Sequence, residues 1–81
     1  MMKEIKRIIA DISNVGIEEV TMDTHFIEDL EWDSMDILEL VTTLEKNYKI
    51  DIKEKDFFKL TTISGVKDIV TTLQKVEFID E

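Results

Sequence analysis

The chain contains no proline and only two glycines, Gly16 and Gly65. Proline ends or kinks a helix and glycine weakens one, so a chain with so few of either can form long uninterrupted helices. Apolar residues also recur three and four positions apart, which is the spacing of one face of an α-helix. The first such stripe consists of Ile5, Ile8, Ile9 and Ile12. These features predict an all-α fold.

We predict a four-helix bundle with a long loop between the first two helices and a short third helix. Asn14 and Gly16 favour the left-handed conformation that stops a helix, so the first helix should end there. The second helix is predicted from about Ser34 to Tyr48 and the third over residues 54–60. Thr61-Thr62 then offers a cap for the last helix, whose polar tail we expect to fray after residue 76.

The same spacing predicts which side chains are buried. On the second helix we expect a core stripe with two flanking residues: Leu38, Val41, Leu44 and Tyr48 in the core, with Ile37 and Leu40 on the flanks. On the last helix we expect Val66, Ile69, Val70 and Leu73 on one face. Four apolar residues should anchor the long loop: Val20, Phe26, Ile27 and Leu30. The segment Ile50-Asp51-Ile52 is predicted to be short and extended.

Length and composition limit the function. The 81 residues, 43% of them hydrophobic, suffice for one domain with one core, which we assign to residues 1–81. Such a domain is too small to enclose a conventional enzyme cleft. There is no cysteine and one histidine, so we predict neither catalytic residues nor a metal site. No apolar run approaches the roughly 20 residues of a membrane span, and we expect a cytoplasmic monomer.

The net charge of −9 is concentrated in one part of the chain. Residues 8–45 contain eleven acidic side chains and no lysine or arginine, whereas the residues after them are balanced. This field repels the phosphates of nucleic acids and attracts proteins with basic patches. We therefore expect no nucleic-acid partner.

One serine stands in a distinctive context. Ser34 lies at the predicted start of the second helix, with Asp33 before it and Asp36 shortly after it. Such a pattern is typical of a helix N-terminal capping box and so has a purely structural explanation. A serine at a helix start is also exposed and rigidly placed, and that end of a helix favours a negative group attached to it. Because Asp33 and Asp36 would repel such a group, we attribute them to recognition rather than to stability.

The wider sequence resembles the acyl carrier proteins, small helical carriers modified with 4′-phosphopantetheine. Phe26-Ile27-Glu28-Asp29-Leu30 followed by Asp33-Ser34-Met35-Asp36 is similar to the modification loop of that family, whose usual signature is Asp-Ser-Leu. The resemblance continues at the family's spacing through Glu39-Leu40-Val41, Leu44-Glu45, Ile50-Asp51-Ile52 and Lys59-Leu60-Thr61-Thr62-Ile63. It covers nearly the whole chain.

The resemblance implies a carrier that is modified and used by other enzymes and is not itself an enzyme. Ser34 would bear a covalent 4′-phosphopantetheine arm that holds acyl intermediates as thioesters in fatty-acid, polyketide or related biosynthesis. Asp33 would dock the basic phosphopantetheinyl transferase that installs the arm. The absence of cysteine is consistent with a working thiol supplied by the arm. The family resemblance also implies an interior that opens between the second and third helices to shelter an apolar chain.

The acidic second helix is the expected docking surface for acyl-transferring or condensing enzymes with basic patches. The candidate partner-binding residues are Met35, Asp36, Glu39, Glu45 and Asp56. Met35 would supply a soft, adaptable apolar contact, and the carboxylates would supply salt-sensitive contacts to lysine or arginine.

Three positions depart from the family's usual pattern. Glycine usually stands at the position of Glu31, Trp32 is unusually bulky, and proline is common where Lys53 stands. None of these changes removes Ser34. Together they predict a specialised carrier with a narrower set of partners.

Several alternatives stay open at the level of sequence. The chain could be an acidic helical protein-interaction adaptor without a prosthetic group, in which Ser34 only caps a helix. Trp32 could cover one end of the bundle or contact the arm. Phe57 and Phe58 cannot share one helix face, so one should lie in the core and the other at the mouth of an acyl pocket or on a partner surface.

Overall fold

The structure is a computed structural model that describes the backbone of residues 2–79 and the side chains of residues 3–74. Its elements are three α-helices, α1 (Met2–Ser13), α2 (Ser34–Tyr48) and α3 (Ile63–Ile79), and two 3₁₀ helices, η1 (Ile17–Glu19) and η2 (Glu54–Lys59). The predicted all-α architecture is confirmed, with η2 as the short third member of the bundle. The side chains of the tail after residue 76 lie outside the described residues, so its predicted fraying stays untested. Within the described residues, no helix is both long and apolar enough to cross a bilayer.

The first helix follows its predicted stripe. Ile5 and Ile9 are completely buried, and Ile8 and Ile12 pack against the same core at its edge. Asn14 has a φ of 60° and ends the helix as predicted. The prediction for Gly16 is wrong, because its φ is −70° and it lies in an extended conformation before η1. One left-handed residue is enough to turn the chain away from a helix.

The buried face of α2 agrees with the prediction at Val41 and Leu44 and differs at Leu38 and Leu40. Leu40 and Leu44 are fully buried, so Leu40 is a core residue and not a flank. Leu38, predicted to lie in the core, is 47% exposed. Adjacent residues of a helix point about 100° apart, so two neighbouring apolar stripes can both satisfy a helical period. The packing of α1 and α3 against α2 selects the stripe that contains Leu40.

The long loop between α1 and α2 is fixed from within. Val20 and Phe26 are buried as predicted, and Leu30 packs partly against the core. The Phe26 N–H donates to the carbonyl oxygen of Thr61 at 2.7 Å, which ties the loop to the junction between η2 and α3. Ile27 was predicted to be an anchor, but it is 46% exposed and that prediction is wrong.

Buried and exposed side chains alternate in the segment that follows α2, as its sequence suggests. Ile50 and Ile52 are buried and Asp51 between them is exposed, as expected for extended backbone. The hydroxyl of Thr62 accepts a hydrogen bond from the Gly65 N–H at 3.2 Å, so the predicted cap of α3 is confirmed. The predicted inner face of α3 is also confirmed, with Val66, Ile69 and Val70 buried and Leu73 partly buried.

Candidate functional site

The start of α2 is held by a reciprocal pair of carboxylates. Asp33 Oδ1 accepts hydrogen bonds from the N–H groups of Met35 at 3.0 Å and Asp36 at 3.2 Å. In return Asp36 Oδ2 accepts from the Asp33 N–H at 3.1 Å, which completes a capping box. The capping box that the sequence pattern suggested is confirmed, so Asp33 and Asp36 do stabilise the first turn of the helix, contrary to our expectation that stability would not explain them. Their role in recognition stays a prediction. The hydroxyl of Ser34 takes no part in the cap.

Ser34 is the first residue of α2 and is exposed. Met35 beside it is 70% exposed, so the chain presents both side chains outward from a capped helix start. Backbone N–H groups and the positive end of the helix dipole face the same region. The site therefore combines an accessible hydroxyl, a rigid backbone and a local preference for negative charge on the attached group.

Trp32 fixes the backbone that leads into this site. Its side chain is only 5% exposed, and its indole Nε1 donates a hydrogen bond to the hydroxyl of Ser13 at 2.7 Å. The centroid of its ring lies 4.7 Å from the centroid of the Phe26 ring. The backbone N–H of Trp32 donates a hydrogen bond to the carbonyl oxygen of Phe26 at 3.0 Å. Trp32 thus covers one end of the bundle and ties the loop before Ser34 to the end of α1. The sequence did not indicate Ser13 as its partner.

Glu31, at the family's usual glycine position, has a φ of 58°. This is the left-handed region, which glycine enters freely and other residues enter at a cost of about 1–2 kcal/mol. The backbone geometry of the loop therefore explains a glycine preference at this position. This chain keeps the left-handed backbone conformation at this position although the residue is a glutamate, whose backbone is strained there.

An apolar groove of about 480 Å³ opens beside Ser34. Its walls come from α2 and η2, and its lining includes Ile27, Trp32, Ser34, Leu38, Phe57 and Phe58. Phe57 packs against the core while Phe58 is 72% exposed, which confirms the predicted division between the two rings. The exposure of Ile27 and Leu38 was not predicted, because Ile27 was expected to anchor the loop and the helical period assigns Leu38 to the interior. A group attached to the Ser34 oxygen has open space and apolar side chains next to it, so the residues fit a tethered prosthetic group.

The candidate partner-binding residues do not form one cluster. Asp36 belongs to the cap, and Glu45 Oε2 accepts a hydrogen bond from the Ile52 N–H at 2.9 Å. Glu39 lines a different groove of about 630 Å³, between α1 and α2. Asp56 lies on η2, half-buried. Met35 is 70% exposed and its side chain takes no part in the cap, so it is free to contact another protein.

Electrostatics around the site remain strongly acidic. Among the described side chains, the two ion pairs found are Lys53–Asp51 at 2.8 Å and Lys59–Asp68 at 3.6 Å, both exposed. All four partners follow α2 in the chain, so neither pair involves a carboxylate of residues 8–45. Among the side chains that the structure describes, no three acidic or histidine side chains lie close enough together to hold a metal ion.

Comparison with known proteins gives a consistent family. Residues 3–70 match the family model described as the phosphopantetheine attachment site. The chain is 36% identical over 73 residues to the acyl carrier protein of Buchnera aphidicola. The aligned region covers 90% of this chain and 92% of that protein. It is 41% identical over 71 residues to the acyl carrier protein of Chlamydia felis, and this alignment covers 88% of this chain and 91% of that protein.

A solved structure agrees on the fold. The acyl carrier protein of Enterococcus faecalis superposes with a TM-score of 0.76 at 24% identity, over 89% of this chain and 91% of that one. The family match and the relatives together assign a covalently attached 4′-phosphopantetheine group and a carrier role. The chain belongs to the acyl carrier protein family, whose members carry acyl groups on that arm.

Proposed function

We propose that Ser34 is the residue that bears the 4′-phosphopantetheine arm and that the protein delivers acyl groups from there to partner enzymes. The observation that carries this proposal is an exposed serine hydroxyl at the first position of α2, outside the cap and on the rim of an apolar groove. The region that matches the attachment-site family includes this serine. When attached, the arm supplies a flexible thiol that holds acyl groups as thioesters.

The residues around Ser34 suit an attached phosphodiester. The N-terminus of α2 points unpaired N–H groups and a positive dipole end toward the modified oxygen, which favours the added negative charge. Asp33 and Asp36 have part of their negative charge engaged by backbone N–H groups in the cap. The cap therefore reduces the repulsion that these two carboxylates exert on the phosphate.

Asp33 is proposed to dock the transferase as well as to cap the helix. Both of its hydrogen bonds to the backbone use Oδ1, which leaves Oδ2 for a basic side chain or for the transferase's metal. Asp33 is exposed, so a partner can reach this oxygen. One carboxylate can thus serve stability and recognition together.

The residues proposed to contact partners are Met35, Asp36, Glu39 and Glu45 of α2 and Asp56 of η2, which are spread over the surface rather than clustered. Its partners would be acyl-transferring or condensing enzymes with basic patches, in fatty-acid, polyketide or related biosynthesis. The largely exposed side chain of Met35 and the eleven acidic side chains of residues 8–45, a segment without lysine or arginine, support this proposal. We also propose that the protein acts in the cytoplasm as a monomer, which cell fractionation and light scattering would test.

The deciding experiment is intact-protein mass spectrometry after incubation with a phosphopantetheinyl transferase and coenzyme A. The wild type should gain the mass of one arm and Ser34→Ala should gain none. Ser64→Ala is the matched control, because Ser64 is also an exposed serine in the first turn of a helix, and it should be modified like the wild type. An unmodified wild type with several competent transferases, or a modified Ser34→Ala variant, would contradict the proposal.

The adaptor alternative has no prosthetic group, whereas the family to which the chain belongs carries one, and no observation favours the adaptor.

A further inference from the structure

The groove beside Ser34 concentrates exposed apolar surface. Ile27 and Leu38 are both about half exposed, Phe58 is mostly exposed, and all three line this one groove. Large apolar side chains that reach the surface usually do so singly, so three around one opening indicate a site for an apolar group. Ser34 lies on the rim of the groove, so a group tethered to its oxygen is held beside these side chains at high effective concentration.

Trp32 forms a fixed floor between this groove and the core. It lines the groove, yet it is almost completely buried, packed at a tilt against the Phe26 ring and hydrogen-bonded to Ser13. Phe26 beneath it is fully buried. An alkyl chain entering the core here has to displace the indole, which breaks the aromatic pair and leaves a buried N–H without its partner.

The groove is short in the direction of α2. Its lining on α2 extends only from Ser34 to Leu38, which is about one helical turn or about 6 Å along the axis. It is also open to solvent, with Phe58 as the large side chain on its outer edge. A short acyl group can be covered by these side chains, whereas a long alkyl chain extends past them into water.

We propose that Trp32 bars the acyl group from the interior of this protein and that the groove holds it at the surface beneath Phe58, which selects short or compact acyl groups as cargo. The inference rests on attachment of the arm at Ser34. It assigns this chain a cargo site different from the sheltered interior that the family resemblance implies.

The test compares butyryl and dodecanoyl groups on the full-length protein. Each acyl arm is installed by a transferase from the corresponding acyl-coenzyme A, and complete loading is confirmed by intact mass. Thioester cleavage by hydroxylamine and the indole N–H resonance of Trp32, the single tryptophan of the chain, are then measured. We expect the butyryl thioester to be cleaved several-fold more slowly than the dodecanoyl thioester. We expect the indole resonance to stay at the same position with either group as in the unacylated arm-bearing protein.

Substitutions test separately the role of Trp32 as the barrier to the core and that of Phe58 as the side chain that covers the acyl group. Phe58→Ala should abolish the protection of the butyryl group. Met22→Ala, which removes another large exposed apolar side chain away from the groove, should leave it unchanged. Trp32→Ala should slow cleavage of the dodecanoyl thioester several-fold by opening a path to the core. If that variant does not fold, Ser13→Ala, which frees the indole without removing it, should produce the same change to a smaller extent.

Three results would overturn the inference. The first is a dodecanoyl thioester that is better protected than the butyryl thioester on the wild type, with a displaced indole resonance. The second is butyryl protection that survives Phe58→Ala. The third is failure to load Ser34 at all, which is read directly from the mass before any cleavage and overturns the proposed function with it.

Discussion

Asp33 and Asp36 cap the same helix end reciprocally: each accepts a hydrogen bond from the other's backbone N–H, at 3.2 Å and 3.1 Å. The exchange rigidifies the first turn of α2 and involves only main chain and carboxylates. Ser34 lies between them in the chain, and its hydroxyl remains outside the exchange. Stability and modification of this turn are therefore carried by different side chains.

Single substitutions should separate these roles. Asp33→Ala is expected to lower the free energy of unfolding by about 1 kcal/mol, as for other lost N-caps. Ser34→Ala should change it by less than about 0.5 kcal/mol, which is typical of exposed surface positions. Urea denaturation followed by circular dichroism measures both. Equal losses for the two variants would show that Ser34 also caps the helix.

Asp33→Asn tests recognition without removing the cap. Asparagine caps a helix as well as aspartate, so the folding stability should be nearly unchanged. The charge that a basic transferase meets is lost, so the kcat/KM of arm transfer should fall severalfold. A variant that is stable and modified at the wild-type rate would show that Asp33 serves the fold alone.

Glu31 and Lys49 both occupy the left-handed region, with φ values of 58° and 55°. Replacing either by glycine removes the strain at the cost of a more flexible unfolded chain, and we expect a net gain of about 0.5–1 kcal/mol in each case. Thermal or urea unfolding provides the measurement. Lys46→Gly is the matched control, because it deletes the same charge as Lys49→Gly from regular helix and should be destabilising. A loss of stability in both Glu31→Gly and Lys49→Gly would contradict the strain.

Gly65 allows the start of α3 to approach η2 closely. A Cβ added there would overlap the backbone carbonyl of Lys59, which cannot move without shifting η2. Gly65→Ala should therefore destabilise the protein by about 1–3 kcal/mol, although alanine is the better helix former. Gly16→Ala is the control: its Cβ meets only the flexible Glu18 side chain, so the melting temperature should hardly change. Similar melting temperatures for the two variants would disprove the close approach.

The phenol of Tyr48 should lose its proton at a higher pH than an ordinary tyrosine. Burial, together with the hydrogen bond that its hydroxyl donates to Glu4 Oε1 at 2.9 Å and the charge of that carboxylate, raises the pKa of Tyr48 to about 12. The folded state prefers the protonated phenol, so this contribution to stability is complete below pH 10 and is lost as the pH rises through 12. Phenolate absorbance reads this site alone, since Tyr48 is the single tyrosine of the chain.

Glu4→Gln should lower the Tyr48 pKa only part of the way, because burial remains. Tyr48→Phe should remove the corresponding alkaline loss of stability and thereby separate it from lysine titration. A phenolate midpoint at the ordinary value of about 10, in protein that circular dichroism shows to be folded, would contradict the shift.

Local rules predicted the helices well. The bounds of α2, the stop at Asn14 and the cap at Thr62 depend on neighbouring residues in the chain, and all three are confirmed. The inner face of α3 is confirmed for the same reason, since one apolar stripe clearly dominates it. Where two stripes competed, as around Leu38 and Leu40, period alone selected the wrong one.

The sequence by itself determined an acidic all-helical chain with one serine at the start of its second helix, because helix breakers, charge and capping residues are readable along the chain. Only the tertiary structure decided that Trp32 reaches Ser13 and that Ile27 and Leu38 face a groove beside Ser34. Those facts depend on how α1, η2 and the long loop pack against α2. Such packing joins residues that are distant in sequence, so no local pattern specifies it.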